Sequence, residues 1–185
     1  PKCLLGEDEH IEKIFKGAIA IDPNDPPMIR LGALAHDRTQ AYMPQFLAAR
    51  SGLARWSEIA RQYGIKLLYE IHVGTVAVTC SRAAELLRDL DPQCIGAIYD
   101  IPNMLRVGLE DTRMGMEILG PYLAHCHIGN GIPRTDGRGP TGNMQWKWDF
   151  TGLREGIANI PQIVEDFKAI NYQGYLSLED FGPGE

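Results

Sequence analysis

Two kinds of apolar segment alternate along the chain. Five segments are short and almost continuously apolar, as buried parallel strands are; they span 28–35, 66–73, 94–100, 122–128 and 175–179. Between them, apolar residues recur every three or four positions over 41–63, 81–90, 110–119 and 159–170, which predicts helices. Strands separated by helices indicate a parallel sheet covered by helices, either an open doubly wound sheet or a TIM (β/α)₈ barrel.

Turn residues separate these segments. Gly64 predicts a left-handed end to the helix over 41–63, and Ser81 predicts the N-cap of the next helix. Residues 129–150 are rich in glycine and predict a long loop without regular structure, a feature typical of lids and binding loops. Its cations, Arg134, Arg138 and Lys147, could bind the phosphate or the hydroxyls of a sugar, or form an incidental solvated surface.

Composition narrows the class of protein. The chain has 185 residues, 44% of them hydrophobic, and a formal net charge of −6, which predicts one globular domain over residues 1–185. No apolar run is long enough for a membrane span, and the acidic balance argues against a nucleic-acid partner. The four cysteines form no C-x-x-C pair, so we expect buried thiols in a reducing, cytoplasmic compartment.

Ionisable residues lie at or near the carboxyl ends of the last four predicted strands. They are Glu70 and His72, then Asp100, then His125 and His127, then Glu179. In parallel α/β folds ligands bind at this edge of the sheet. Carboxylates that converge there would repel one another unless a cation lies between them. The pattern predicts a divalent metal ion, most simply Mn²⁺ or Mg²⁺, with Co²⁺ or Zn²⁺ compatible.

Each of these residues also has a purely structural interpretation. A single carboxylate could cap a helix or pair with an arginine, and a single histidine could bond to a backbone carbonyl in the core. Cys126 lies between two histidines and must face the helices if they face inward. The occurrence on four successive strands favours the metal site.

Four stretches, read in order, resemble one known family. They are YEIHVGT at 69–75, IYDIPNM at 98–104, LGPYLAHCHIGN at 119–130 and GYLSLEDF at 174–181. They are similar to the strand-end motifs of the sugar phosphate isomerase/epimerase family, a group of xylose-isomerase-like TIM barrels. Gly129 stands where the family motif usually has lysine.

The resemblance implies specific roles for these residues. It implies a divalent metal held by Glu70, Asp100, His127 and Glu179, with Glu70 and Glu179 as the acid/base pair. It also implies substrate contacts near His72 and Asn103, to which we add Arg134 from the glycine-rich segment.

The expected activity is that of an isomerase or epimerase of a sugar or sugar phosphate. Such an enzyme removes a proton next to a carbonyl and passes through a metal-stabilised enediolate. Three alternatives remain: a dehydratase of a keto-sugar or keto-inositol on the same scaffold, a metal-dependent endonuclease of a related barrel family, and a non-catalytic homologue. The expected partner is a small-molecule sugar, with no nucleic acid and no membrane, and the sequence is compatible with a homo-oligomer.

Length qualifies the expected fold. A complete (β/α)₈ barrel needs about 250 residues and eight strands, whereas five strands are predicted in this chain. Because Glu179 falls on the strand that matches the eighth, we expect the fourth to eighth strands of a barrel, without its first strands and final helix. We therefore expect this chain to be part of a longer one.

Overall fold

The structure is a computed structural model that describes residues 8–32, 34–107, 110–179 and 181. Its α-helices are α1 (Asp8–Ile21), α2 (Tyr42–Gln62), α3 (Cys80–Leu87), α4 (Ile101–Val107), α5 (Thr112–Leu119) and α6 (Ile160–Ala169). Its strands are β1 (Ile29–Arg30), β2 (Leu67–Glu70), β3 (Ile95–Asp100), β4 (Leu123–Ile128), β5 (Asn130–Arg138), β6 (Met144–Thr151) and β7 (Tyr175–Leu178).

Five strands form one parallel sheet. Their order is β1-β2-β3-β4-β7, and every neighbouring pair is parallel. Helices lie between successive strands along the chain, as the alternating pattern predicted. This is the arrangement of five successive strands of a (β/α)₈ barrel, so the carboxyl ends of all five lie at one edge.

The apolar core lies between the sheet and its helices. Alternate side chains of β2 divide between two faces, so Leu67 and Tyr69 are buried against the helices while Glu70 faces the inner side of the sheet. The helices contribute their apolar stripes to the same core; its fully buried members include Phe46, Leu53, Ala60, Leu86, Leu87 and Leu119. Packing of this layer fixes where each strand ends, and therefore where the polar strand ends meet.

The segment predicted as a long loop is a β-hairpin. Strands β5 and β6 pair antiparallel from Asn130 opposite Thr151 to Arg138 opposite Met144. Gly137 and Gly142 lie near the turn with φ of 76° and 84°, a conformation that favours glycine. These two glycines therefore serve the turn of an antiparallel hairpin, and the prediction of a loop without regular structure was wrong.

Helix boundaries differ from the sequence prediction in one informative case. Helix α3 starts at Cys80, and the Thr79 side chain, not that of Ser81, accepts the capping hydrogen bond, from the Arg82 amide at 3.2 Å. The Ser81 hydroxyl instead donates a hydrogen bond to Glu110, which lies between α4 and α5.

The left-handed Gly64 at the end of α2 is confirmed by its φ of 65°. Helices α1 and α4 were not predicted.

One irregularity interrupts the pairing of β3 with β4. Ala97 pairs with Leu123, but the next residue, Ile98, pairs with His125, so Ala124 is an extra residue on β4. Gly96 makes room for it, because a Cβ at Gly96 would lie 2.5 Å from the Ala124 Cβ. After this bulge the register brings Asp100 opposite His127.

Three cysteines are buried free thiols in the described part of the chain: Cys80, Cys94 and Cys126. Cys3 and the Asp180 of the closing motif lie outside the described residues. None of the helices in the described ranges has both the length and the apolar character that crossing a membrane requires.

Candidate metal centre

Four of the predicted residues meet at the carboxyl edge of the sheet. Glu70 ends β2, Asp100 ends β3, His127 lies near the end of β4 and Glu179 directly follows β7. The Glu179 amide donates to the Ile128 carbonyl at 2.8 Å, which holds this residue beside β4. One ligand atom from each of the four lies within 4.8 Å of the others, so the cluster could hold a metal ion.

The imidazole of His127 is at the centre of the cluster. Its Nδ1 lies 3.1 Å from an oxygen of Asp100, 3.1 Å from one of Glu179 and 3.3 Å from one of Glu70. Burial opposes protonation of this ring, but hydrogen bonds with Asp100 and Glu70 outweigh it and raise the pKa of His127 to about 9. The three carboxylates therefore create a strong local preference for a cation at this position.

Two of the carboxylates each have one oxygen held by the protein and the other directed at His127. Oε2 of Glu70 accepts hydrogen bonds from Arg30, with Nε at 2.7 Å, while Oε1 faces the imidazole. Oδ1 of Asp100 caps α4 by accepting from the Asn103 amide at 2.7 Å, while Oδ2 faces the imidazole. Such partners orient metal ligands, so the inward oxygens are fixed in position before an ion binds.

The two glutamates have different electrostatic environments. Burial would raise the pKa of Glu70, but the hydrogen bond with His127 and the charge of Arg30 hold that pKa below its usual range. The pKa of Glu179 is instead raised, by burial and by the hydrogen bond with Asp100. Glu70 is almost fully buried, whereas the Glu179 side chain is 30% exposed. One carboxylate is thus stabilised as an anion while the other is suited to carry a proton.

The donor set fits a divalent ion. Three carboxylates and one imidazole are the ligands of Mg²⁺, Mn²⁺, Co²⁺ or Zn²⁺ in oxygen-rich sites. Cys126, the neighbour of His127 in the sequence, is buried in the helix-facing core and is not among the four candidate ligands. Asp100 and Glu70 are 1% and 5% exposed, and carboxylates at that depth need a compensating positive charge.

The second histidine of β4 has a different environment. His125 contacts the Ser177 hydroxyl through Nε2 at 2.8 Å, and its ring packs edge-on against that of His127 with 5.4 Å between centroids. Its Nδ1 is buried and has no hydrogen-bond partner among the residues that the structure describes. His127, not His125, therefore belongs to the cluster.

The predicted substrate contacts His72 and Asn103 follow the ends of β2 and β3, and the Asn103 amide contacts the cluster through Asp100. His72 follows β2, and its Nδ1 donates to the Val73 carbonyl at 2.7 Å. The Asn103 side chain accepts from the Val73 amide at 3.2 Å. Asn103 therefore ties the chain after β2 to the start of α4, in addition to orienting Asp100.

Arg134 lies away from the four ligands, on the outer part of β5. Its Nε is 2.8 Å from Asp149 on the paired strand β6. On the same hairpin, Trp148 packs against Gly131, whereas Trp146 is largely exposed. The structure does not bring Arg134 into contact with the cluster, so its role stays a prediction.

Arg30 is the residue of this site that the sequence analysis missed. It lies on β1 and contacts Glu70 across a separation of 40 residues. The available signal was a single charged residue within the otherwise apolar segment 28–35. That signal is of the same kind as the one that identified the strand-end carboxylates.

A cavity of about 760 Å³ opens on the inner face of the sheet. Its lining includes Arg30, Leu68, Ile98, His125 and His127, which project inward from neighbouring strands. The interior of a closed (β/α)₈ barrel is filled by such side chains. We therefore assign this cavity to the barrel interior.

Comparison with known families identifies the class of protein. Residues 32–185 match the model of the xylose isomerase-like TIM barrel family. The chain belongs to this family, and the five-stranded parallel sheet is the corresponding part of an α/β barrel.

Curated relatives include two inosose dehydratases. That of Mesomycoplasma hyopneumoniae (strain J) is 25% identical over 144 residues, which cover 73% of this chain and 47% of the relative. That of Lactiplantibacillus plantarum (strain WCFS1) is 39% identical over 136 residues, or 69% of this chain and 44% of the relative. The chain thus spans about half the length of the curated relatives it matches.

Solved structures support the fold. The probable 3-DHS dehydratase AsbF of Bacillus anthracis superposes with a TM-score of 0.69 at 22% identity, over 98% of this chain and 68% of that one. A xylose isomerase-like TIM barrel protein from Mycobacterium smegmatis, in complex with magnesium, gives 0.63 at 20%, over 98% and 65%. D-psicose 3-epimerase of Clostridium cellulolyticum H10, with D-tagatose, gives 0.63 at 15%, over 95% and 59%.

Proposed function

We propose that this protein is a divalent-metal-dependent enzyme that removes a proton next to the carbonyl group of a sugar or sugar-like substrate. The proposal depends chiefly on one observation: three carboxylates, from β2, β3 and the end of β7, surround Nδ1 of His127. The bound ion would be held by Glu70, Asp100, His127 and Glu179, and Mn²⁺ or Mg²⁺ suits this oxygen-rich set best. When bound, such an ion stabilises negative charge that develops on a substrate oxygen.

The two glutamates are proposed as the acid/base pair. Environments that push the pKa values of two carboxyl groups apart divide acid and base roles between them. Glu70, kept anionic by Arg30, would accept the proton from carbon, and Glu179, with its raised pKa, would return one. Transfer at a single carbon from opposite faces gives epimerisation, and transfer between adjacent carbons gives isomerisation.

The same first step also serves a dehydratase. A keto-inositol or keto-acid that loses a proton next to its carbonyl can then expel a hydroxyl group, for which Glu179 could supply the proton. The similarity of this chain to inosose dehydratases favours this second candidate.

Three further residues are proposed to contact the substrate. His72 keeps Nε2 for a substrate hydroxyl because Nδ1 is engaged by the Val73 carbonyl. Asn103 and Arg134 are proposed as further contacts, Arg134 for the end of the substrate away from the metal.

The free, buried thiols of the described cysteines suit a reducing cytoplasm.

One experiment tests the function and separates its two forms. The protein is loaded with Mn²⁺, its metal content is measured, and it is incubated in D₂O with a panel of ketohexoses and 2-keto-myo-inositol. NMR would show deuterium at a carbon next to the carbonyl with the carbon skeleton intact for an isomerase or epimerase, and loss of water for a dehydratase. Metal-loaded protein that produces neither change on any substrate contradicts the proposal.

Matched variants assign the acid/base role. Glu179→Gln should abolish product formation, because no group then returns the proton, whereas Glu165→Gln, which alters an exposed glutamate on α6, should leave it unchanged. Metal content is measured for both, so that loss of the ion is distinguished from loss of proton transfer. Product that still forms in metal-loaded Glu179→Gln would exclude Glu179 as the residue that returns the proton.

A further inference from the structure

A second cavity lies at the base of the hairpin, next to the strand end that carries Glu179. It measures about 520 Å³ and is lined by Arg134, Trp148, Asp149, Phe150, Thr151, Glu155 and Phe181. Phe181 follows Glu179 by two residues in the sequence. Phe181 also packs edge-on against Phe150, with 5.2 Å between ring centroids, so the cavity wall continues from the strand end into the hairpin.

The cation that lines this cavity is already paired within the hairpin. Among the described residues that line it, Arg134 is the one cation, and it is paired with Asp149 at 2.8 Å. Asp149 also lies 3.9 Å from Lys147. The third cation of the hairpin, Arg138, donates to the Gly142 carbonyl near the turn. With Glu155 included, the lining carries one positive and two negative groups.

Such a lining disfavours a phosphate group. A phosphate bound to the guanidinium of Arg134 would lie beside Asp149, which is already paired with that arginine, and would face two carboxylates of its own sign, Asp149 and Glu155. A carboxylate and a guanidinium held side by side instead offer an acceptor and donors to neighbouring hydroxyl groups. The rings of Trp148, Phe150 and Phe181 supply apolar surface for the carbon skeleton of the same ligand.

We propose that this cavity receives the far end of an unphosphorylated, polyhydroxylated substrate, and that Asp149 is the specificity residue that excludes phosphorylated analogues. The inference rests on the proposed function, which places the reacting carbonyl at the four-residue cluster. Arg134 and Asp149 act here as one unit: the pair binds hydroxyl groups, and removal of the carboxylate leaves an arginine free to bind phosphate.

The test compares specificity in wild-type protein and in Asp149→Asn. The measurements are kcat/KM for each ketohexose or keto-inositol that the wild type converts, for the 6-phosphates of the ketohexoses, and the inhibition constant of inorganic phosphate. We expect wild type to prefer the unphosphorylated substrate and to be insensitive to millimolar phosphate. Asp149→Asn should raise KM for that substrate and lower the phosphate inhibition constant by about tenfold, the effect of one newly available charged hydrogen bond.

Asp136→Asn is the matched control, since Asp136 is an exposed carboxylate of the same hairpin outside the cavity lining. It should leave both quantities unchanged. A wild type that prefers the 6-phosphates, or an Asp149→Asn variant with unaltered phosphate inhibition and KM, overturns the inference while the proposed function stands. Wild-type protein that binds metal but converts no substrate of either kind contradicts the proposed function itself.

Discussion

At the scale of single residues, His127 makes metal binding depend on pH. Its Nδ1 holds a proton up to a pKa of about 9, and a metal ion needs the same nitrogen unprotonated. Below that pKa each ion must displace the proton, so affinity should rise as pH rises and level off above 9. We expect about a tenfold gain in Mn²⁺ affinity between pH 7 and pH 8.

The measurement is an Mn²⁺ titration followed by electron paramagnetic resonance at several pH values. Calorimetry in buffers of different ionisation enthalpy should in parallel show the release of about one proton per ion at pH 7. Affinity that stays constant over this range would mean that His127 is not a ligand through Nδ1.

The sequence was informative about ligands for a physical reason. Charged residues are costly in buried strands, so Glu70 and Asp100 stood out from their apolar neighbours. Arg30 stood out in the same way, but its partner is 40 residues away and only the folded sheet brings the two together. The role of Asn103 in orienting Asp100 was likewise hidden, because it depends on a backbone amide at the start of α4.

At the scale of elements, Gly96 controls the path of β4. A Cβ at this position would lie 2.5 Å from the Ala124 Cβ and 2.9 Å from the Tyr122 carbonyl oxygen. Gly96→Ala should therefore lower the free energy of unfolding by about 1–3 kcal/mol, as overpacking does. It should also weaken Mn²⁺ binding, because the displaced bulge precedes His127 by only three residues.

Urea unfolding and Mn²⁺ titration measure the two effects. Gly17→Ala is the control: a Cβ there meets nothing within 4 Å on helix α1, and alanine should stabilise that helix by about 0.5–1 kcal/mol. Wild-type stability and metal affinity in Gly96→Ala would show that the bulge does not depend on the glycine.

Helices and strands were predicted correctly where apolar residues follow a strong pattern. The prediction failed at the hairpin and at the cap of α3. All five strands of the sheet were recognised as apolar runs, and the helix over 41–63 is within a residue of α2 at both ends. The hairpin was missed because β5 is polar, without alternation, and rich in glycine. The signal that was overlooked is β6, where apolar and polar residues alternate strictly from Met144 to Thr151. Serine is by type the better cap, yet Thr79 accepts from the Arg82 amide, and only the folded backbone shows which of the two residues lies at the helix start.

At the scale of the whole molecule, the four ligands join β2, β3, β4 and the end of β7. An ion that binds only when these strand ends are assembled must stabilise the fold. At a free Mn²⁺ concentration of one hundred times Kd, we expect a gain of about 2.7 kcal/mol in the free energy of unfolding. Urea unfolding in Mn²⁺ and in a chelator measures it.

Two histidine variants of the same strand provide the comparison. His127→Gln should lose the metal-dependent gain, and His125→Gln should keep it, since His125 contacts Ser177 and lies outside the cluster. A gain that disappears only in His125→Gln would shift the ligand assignment by two residues along β4.

The bulge at Ala124 also decides whether β4 presents a nitrogen or a sulfur atom to a metal ion. If β4 continued in the register that pairs Ala97 with Leu123, Asp100 would stand opposite Cys126, and every side chain of the strand would exchange faces. A soft sulfur donor would then replace the imidazole nitrogen, and the site would favour thiophilic ions over Mn²⁺ or Mg²⁺. The preference for a hard ion is thus set by the backbone, through one extra residue accommodated beside a glycine, as much as by the ligand side chains themselves.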